Sequence, residues 1–157
     1  MSSGSHAYQT SSADASKALE LLKRNPVFAT IKAAYLQELL ERGSAWRYVR
    51  GQTLSRQGSP ADKLFIILAG QVAIEHRTAD GRLVEVAQLG AGEPVGEMAI
   101  MAGEPRINSV RALTDVHVLE LDAEHVKAVF ERDQQVLDGF VELVHNRLWG
   151  SEPRHWV

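Results

Sequence analysis

The chain has 157 residues, a length that fits one domain with tails. Its 45% apolar and 24% charged content suits a globular protein with its own core, and a net charge of −3 without a Lys/Arg block gives no electrostatic case for nucleic-acid binding. Cysteine is absent, which excludes a disulfide framework, a thiolate zinc site and a thiol nucleophile.

Residues 1–14 are polar and Ser-rich and lack the basic start and apolar run of a secretory signal, so they are expected to form a flexible tail or linker. From Ala15 to Arg42 the spacing is helical. Ala18, Leu21 and Leu22 share one face, and Ile31, Tyr35, Leu36, Leu39 and Leu40 share another. Asn25-Pro26 breaks the pattern, because proline has no N–H and restricts the residue before it. Gly43 is expected as the C-cap of the second helix.

From Trp46 to Asp122 the character changes to short apolar or alternating runs: "WRYV", "TLSRQ", "KLFIILA", "QVAIEHR", "RLVEVAQL", "INSVRAL" and "VHVLEL". Glycines punctuate them, and Asp80-Gly81 between two such runs signals a hairpin. Seven or eight short strands at regular spacing point to an antiparallel barrel or sandwich. The longest unbroken apolar run, "LFIILA", is far short of a membrane span. From Ala123 the helical pattern returns in "AEHVKAVFER" and again in "QQVLDGFVELVHNRLW", where Val136, Phe140, Leu143, Val144 and Leu148 form one stripe.

The stretch "VGEMAIMAGEPRINSV", Val95 to Val110, fits none of these patterns. Gly96 permits a positive φ and close approach of a ligand to the backbone. One helical turn after it would aim the amides of Met98 and Ala99 at an anion. Arg106 adds a bidentate partner for a phosphate, and Glu97 suits a neighbouring hydroxyl. One arginine, with neither a lysine-bearing loop nor a metal-binding carboxylate cluster, suits a singly charged phosphodiester better than a triphosphate. Neither G-x-x-x-x-G-K-[ST] nor G-x-G-x-x-G occurs.

This segment resembles the phosphate-binding cassette of the cyclic nucleotide-binding domain family: Gly-Glu, small and apolar residues, then Pro-Arg and a strand. "GQTLSRQGSPADKLFIILAGQVAI" and "DGRLVEVAQLGAGEPVGEMA" resemble the family's preceding strands, so the likeness runs over roughly residues 26 to 148. The resemblance implies a mainly β fold with flanking α: an antiparallel eight-stranded β-roll, or jelly-roll barrel, with N-terminal and C-terminal helices. The domain would span residues 15–149, with 150–157 as a C-terminal tail.

The resemblance also implies roles. Arg106 would pair with the phosphate and Glu97 would accept from the ribose 2′-hydroxyl. Gly96, Met98 and Ala99 would make backbone contacts, and the amide of Ile107 would reach the phosphate. The chain departs from the family's habit by placing Pro94-Val95 before the Gly-Glu, and Ile107 and Asn108 where small residues are usual. Members favouring cyclic GMP often carry a hydroxyl residue after the arginine. Ile107 has none, so the expected ligand is cyclic AMP, with cyclic GMP second; no other cofactor or metal is expected.

The plainer readings are an exposed Glu97–Arg106 ion pair, glycines that only make turns (Gly51, Gly58, Gly81 and Gly90), and packing roles for Trp149 and Trp156. His76, His117 and His125 are too scattered for a metal-binding cupin. No nucleophile–base set appears, so an enzyme is not expected. Nine residues follow Leu148, too few for a DNA-reading domain. The expectation is a cytoplasmic regulatory sensor, without nucleic-acid contact or membrane insertion of its own, attached to an effector. A channel is one such parent, whose cytoplasmic part this would be. Its last helix, Gln134 to Trp149, would close over the base. The alternative is a domain of the same fold that no longer binds nucleotide.

Overall fold

A computed structural model of the chain describes residues 6–8, 12–25, 28–96, 100, 103–132, 134 and 138. Strand β1 (His6–Tyr8) leads into helix α1 (Ser12–Leu22), a 3-10 turn (Phe28–Thr30) and helix α2 (Ala33–Glu41). Eight strands follow: β2 (Ser44–Tyr48), β3 (Thr53–Ser55), β4 (Lys63–Ala69), β5 (Val72–Arg77), β6 (Leu83–Leu89), β7 (Pro94–Val95), β8 (Ser109–Ala112) and β9 (Val116–Asp122). Helix α3 (Ala123–Glu131) comes directly after β9.

The strands form two antiparallel sheets, ordered β1-β2-β9-β4-β7 and β3-β8-β5-β6. Strands β2 to β9 make the eight-stranded roll, and helices pack on its outside. The hairpin at Asp80-Gly81 joins β5 to β6, with Gly81 at φ +89°.

The unbroken apolar run of β4 follows from burial on both faces. Leu64, Ile66 and Leu68 join an outer core with Ala18, Leu22, Phe28, Leu36, Leu39, Leu40, Val126 and Phe130 from the helices. Phe65 and Ile67 face inward, to a second core with Val72, Ile74, Leu89, Val95, Val110 and Val118. Strand β9 divides likewise: Leu119 and Leu121 face the helices, Val116 and Val118 the interior. Between α2 and α3, Arg132 pairs with Glu38 through both amino nitrogens and lies 5.2 Å from the Tyr35 ring centroid.

Three details differ from expectation. Residues 6–8 extend the open edge of β2 as a strand instead of belonging to a loose tail, with Ala7 opposite Trp46, and α1 begins at Ser12 rather than Ala15. Gly43 follows the C-cap Arg42 but is not a left-handed cap, because its φ is not positive. Gly43 is needed for space: a Cβ there would lie 2.8 Å from Leu121 Cδ2 and 3.0 Å from Leu119 Cγ. Of the last expected helix, only Gln134 and Asp138 are described; both are helical, and Gln134 Nε2 donates to Asp138 Oδ1 at 2.7 Å. Val136, Phe140, Leu143, Val144, Leu148, Trp149 and the tail 150–157 lie outside the described residues.

Candidate ligand-binding site

Strand β7 delivers Gly96 to the end of the five-stranded sheet, where Phe65 and Ile66 of β4 hold Val95 and Pro94. Gly96 has φ +97°, the left-handed region that glycine occupies without strain. Its carbonyl accepts from the amide of Ile100 at 3.3 Å, the spacing of a helical turn. Ile100 is 1% exposed and sits in the outer core, which fastens this point of the chain to the helical layer. Gly103, at φ +70°, donates to Ile100 O at 3.2 Å.

The chain then returns to Gly96 through Arg106. The backbone of Arg106 is clamped by the turn after β3: its N–H donates to Ser59 O at 2.9 Å, and its carbonyl accepts from Gly58 N–H at 2.7 Å. The side chain is 6% exposed. Nη1 donates to Gly96 O at 3.1 Å, Nη2 donates to the Lys63 carbonyl, and the guanidinium carbon lies 5.9 Å from the Phe65 ring centroid. Such a position over an aromatic face is attractive to a cation. A Cβ on Gly96 would fall 1.9 Å from Arg106 Nη1, so this seat exists only because residue 96 has no side chain.

Beside Arg106 lies a cavity of about 230 Å³, bounded by Tyr48, Ser55, Ser59, Lys63, Phe65 and Glu120 among others. Glu120 faces the roll interior with Val118 and accepts from Tyr48 Oη–H at 2.7 Å. Burial pushes the Glu120 carboxyl above the usual carboxylate range, against the Tyr48 hydrogen bond that pulls it down. Burial and the Glu120 contact push the Tyr48 phenol up. At the rim, Lys63 Nζ donates to Asp122, and that bond holds the Asp122 carboxyl below its ordinary value.

Of the residues marked from the sequence, Gly96 and Arg106 come together in space. Asn108 is 9% exposed and faces inward beyond Arg106, whereas Ile107 is 52% exposed. Glu97, Met98 and Ala99 lie outside the described residues. Residue type marks Gly58 only as a turn glycine, whereas in the fold Gly58 and Ser59 clamp the Arg106 backbone, and the Lys63 carbonyl and the Phe65 ring hold its guanidinium. Backbone partners leave no residue-type signal; the one clue was a glycine-bearing turn between two strands.

A model of the cyclic nucleotide-binding domain matches residues 45–133, more than half of the chain and all of the strands from Ala45 onward. The chain belongs to this family. Among relatives, the CRP-like cAMP-activated global transcriptional regulator of Mycobacterium tuberculosis is 26% identical over 129 residues, covering 82% of this chain and 58% of the regulator. A cyclic nucleotide-gated potassium channel of Mesorhizobium japonicum is 30% identical over 121 residues, covering 77% of this chain and 32% of the channel. The solved N-terminal domain of a transcriptional regulator from Streptomyces coelicolor superposes with TM-score 0.68 at 30% identity, covering 82% of this chain and 91% of that domain. A cyclic nucleotide-binding domain from Methylobacillus flagellatus, at 20% identity, shares the fold with TM-score 0.75 over 93% of this chain and 84% of its own. The chain thus spans less than two thirds of the regulator and about a third of the channel. No described helix is long and apolar enough to cross a membrane.

Proposed function

We propose that this domain is a regulatory sensor of a 3′,5′-cyclic nucleotide, with cyclic AMP preferred, and that it controls an attached effector on the cytoplasmic side. One observation carries the reading: a buried guanidinium, Arg106, is oriented by two backbone carbonyls at the opening of the cassette turn. A pre-oriented guanidinium in a site of restricted water access suits a phosphodiester, with which it forms charge-assisted paired hydrogen bonds. Glu97 reads the ribose 2′-hydroxyl, the amides of Met98, Ala99 and Ile107 complete the phosphate seat, and Gly96 lets the ligand approach. Ile107 supplies no hydroxyl for a guanine amino group, which favours adenine.

Ligand-driven motion of the segment 134–149 carries the signal, since a ligand shifts an element only by contacting one arrangement better than another. The relatives support a regulatory output: one is described as cAMP-activated and another as cyclic nucleotide-gated. A transcriptional regulator and a channel are the two kinds of effector they suggest.

The test is calorimetric titration of wild type and Arg106→Ala with cyclic AMP. Loss of one partner from a buried charged pair costs about 2–5 kcal/mol. At ~1.4 kcal/mol per decade the affinity falls roughly 30- to several thousand-fold. Equal affinities for the two proteins refute the role of Arg106. A wild type that binds neither cyclic AMP nor cyclic GMP favours a domain of this fold that has lost its ligand.

A further inference from the structure

The two residues after Arg106 depart from what the cassette resemblance leads one to expect, and one of them has a dedicated partner. Burial alternates from Arg106 into β8: Arg106 and Asn108 are buried, Ile107 and Ser109 less so, and Val110 is buried again. Val110 of β8 joins the inner core, and the buried Asn108 lies just before the strand begins. Strand β8 pairs with β5 in the register Ile74↔Val110 and Glu75↔Ser109. One step further along the same ladder sets His76 opposite Asn108.

The contact is made at Nδ1 of His76, which lies 2.8 Å from Ile107 O and 3.1 Å from Asn108 Oδ1. A carbonyl oxygen only accepts, so Nδ1 carries the hydrogen and is shared between the two oxygens. The imidazole therefore ties one backbone atom and one buried side-chain amide of the segment after Arg106 to β5. Without that hydrogen the Asn108 amide, 9% exposed, would lose a partner inside the fold, which is costly.

We infer that His76 is a positioning residue of the nucleotide site: it holds the backbone of residues 106–108 so that the Arg106 guanidinium and the Ile107 amide address one phosphate together. The inference rests on the reading of Arg106 and Ile107 as phosphate contacts. A displacement of even 1 Å at a binding group weakens a charge-assisted contact, so a strut that is not itself a ligand contact affects affinity.

Three variants test it by calorimetry with cyclic AMP and by hydrogen exchange of the ligand-free protein. His76→Phe keeps a ring and removes the donor. His76→Asn places an amide N–H near the Nδ1 position. Arg106→Ala reports on the site itself. His76→Phe is expected to weaken cyclic AMP binding roughly five- to thirtyfold, the scale of one or two net hydrogen bonds. It should also speed exchange at the amides of residues 106–109 while the rest of β5 and β8 stays protected. His76→Asn should restore affinity to within about threefold, which a role limited to ring packing would not. If Arg106→Ala loses affinity but His76→Phe binds like wild type, or if Asn fails to rescue, the inference falls and the site reading stands. If wild type binds neither cyclic AMP nor cyclic GMP, both fall.

Discussion

Replacing Gly96 with alanine should separate the fold from the site. Two costs arise. Alanine at φ +97° is held in the left-handed region, a strain of about 1–3 kcal/mol. Its Cβ would stand 1.9 Å from Arg106 Nη1 and 2.8 Å from Cζ, a distance no contact tolerates, so the guanidinium must leave its seat. Leaving breaks its bonds to Gly96 O and Lys63 O, and hydrogen bonds to charged groups are worth about 1.5–3 kcal/mol. The arginine arm is flexible, so it swings out instead of unfolding the roll. Gly81 supplies the control: its φ is +89°, and a Cβ there meets nothing within 4 Å. Gly81→Ala should pay the strain alone. In denaturant titrations Gly96→Ala should therefore be less stable than Gly81→Ala by about 3–6 kcal/mol, the loss of both bonds. In calorimetry it should lose cyclic AMP binding as severely as Arg106→Ala, whereas Gly81→Ala binds normally. A Gly96→Ala protein that is no less stable than Gly81→Ala and keeps its affinity would show that the Gly96–Arg106 packing does not govern the site.

Other outcomes follow from the same geometry. The Glu120 carboxyl is raised by burial, so above the ordinary carboxylate range the folded state holds a proton that the unfolded chain has released, and stability drops as pH rises through the raised value. Glu120→Gln keeps an acceptor for Tyr48 and removes that loss: its melting temperature should exceed wild type at neutral pH, with the gain vanishing in acid, and a pH-independent difference would contradict this. Glu75 and Asp122 act in the opposite sense, since Arg111 and Lys63 hold them low, so they contribute the stability lost on acidification. Glu97→Ala should weaken cyclic AMP by about 1–3 kcal/mol yet scarcely change binding of 2′-deoxy cyclic AMP; equal damage to both rules out the hydroxyl role. Ile107→Thr should raise the affinity for cyclic GMP relative to cyclic AMP, and a wild type that already prefers cyclic GMP would reverse the assignment.

How much of this was legible in the residues varies with the range of the interaction. Strands β2 to β6, β8 and β9 and the three helices follow from local periodicity, because an element that buries one face must repeat its apolar residues at its own pitch. Gly96 and Arg106 stood out because residue type alone restricts what each can do: a free φ at one end, a forked permanent cation at the other. Their meeting in space is a different matter. It depends on β7 lying against Phe65 and Ile66, on Ile100 seating the turn in the outer core, and on Gly58 and Ser59 gripping the Arg106 backbone. The partners in those contacts are carbonyls and amides that every residue carries, so composition is silent about them. Gly43 shows the same division. Its place after a helix suggested a cap, but only the packed Leu119 and Leu121 side chains reveal that it is there for lack of room. The pairing of His76 with Asn108 likewise needs the register of β5 on β8, a long-range quantity set inside the four-stranded sheet by strands more than thirty residues apart. What the chain determined by itself is where most of its helices and strands form and which two residues, Gly96 and Arg106, stand out by type. Only the closed tertiary structure decided which backbone atoms hold Arg106, because that depends on contacts between segments up to nearly fifty residues apart.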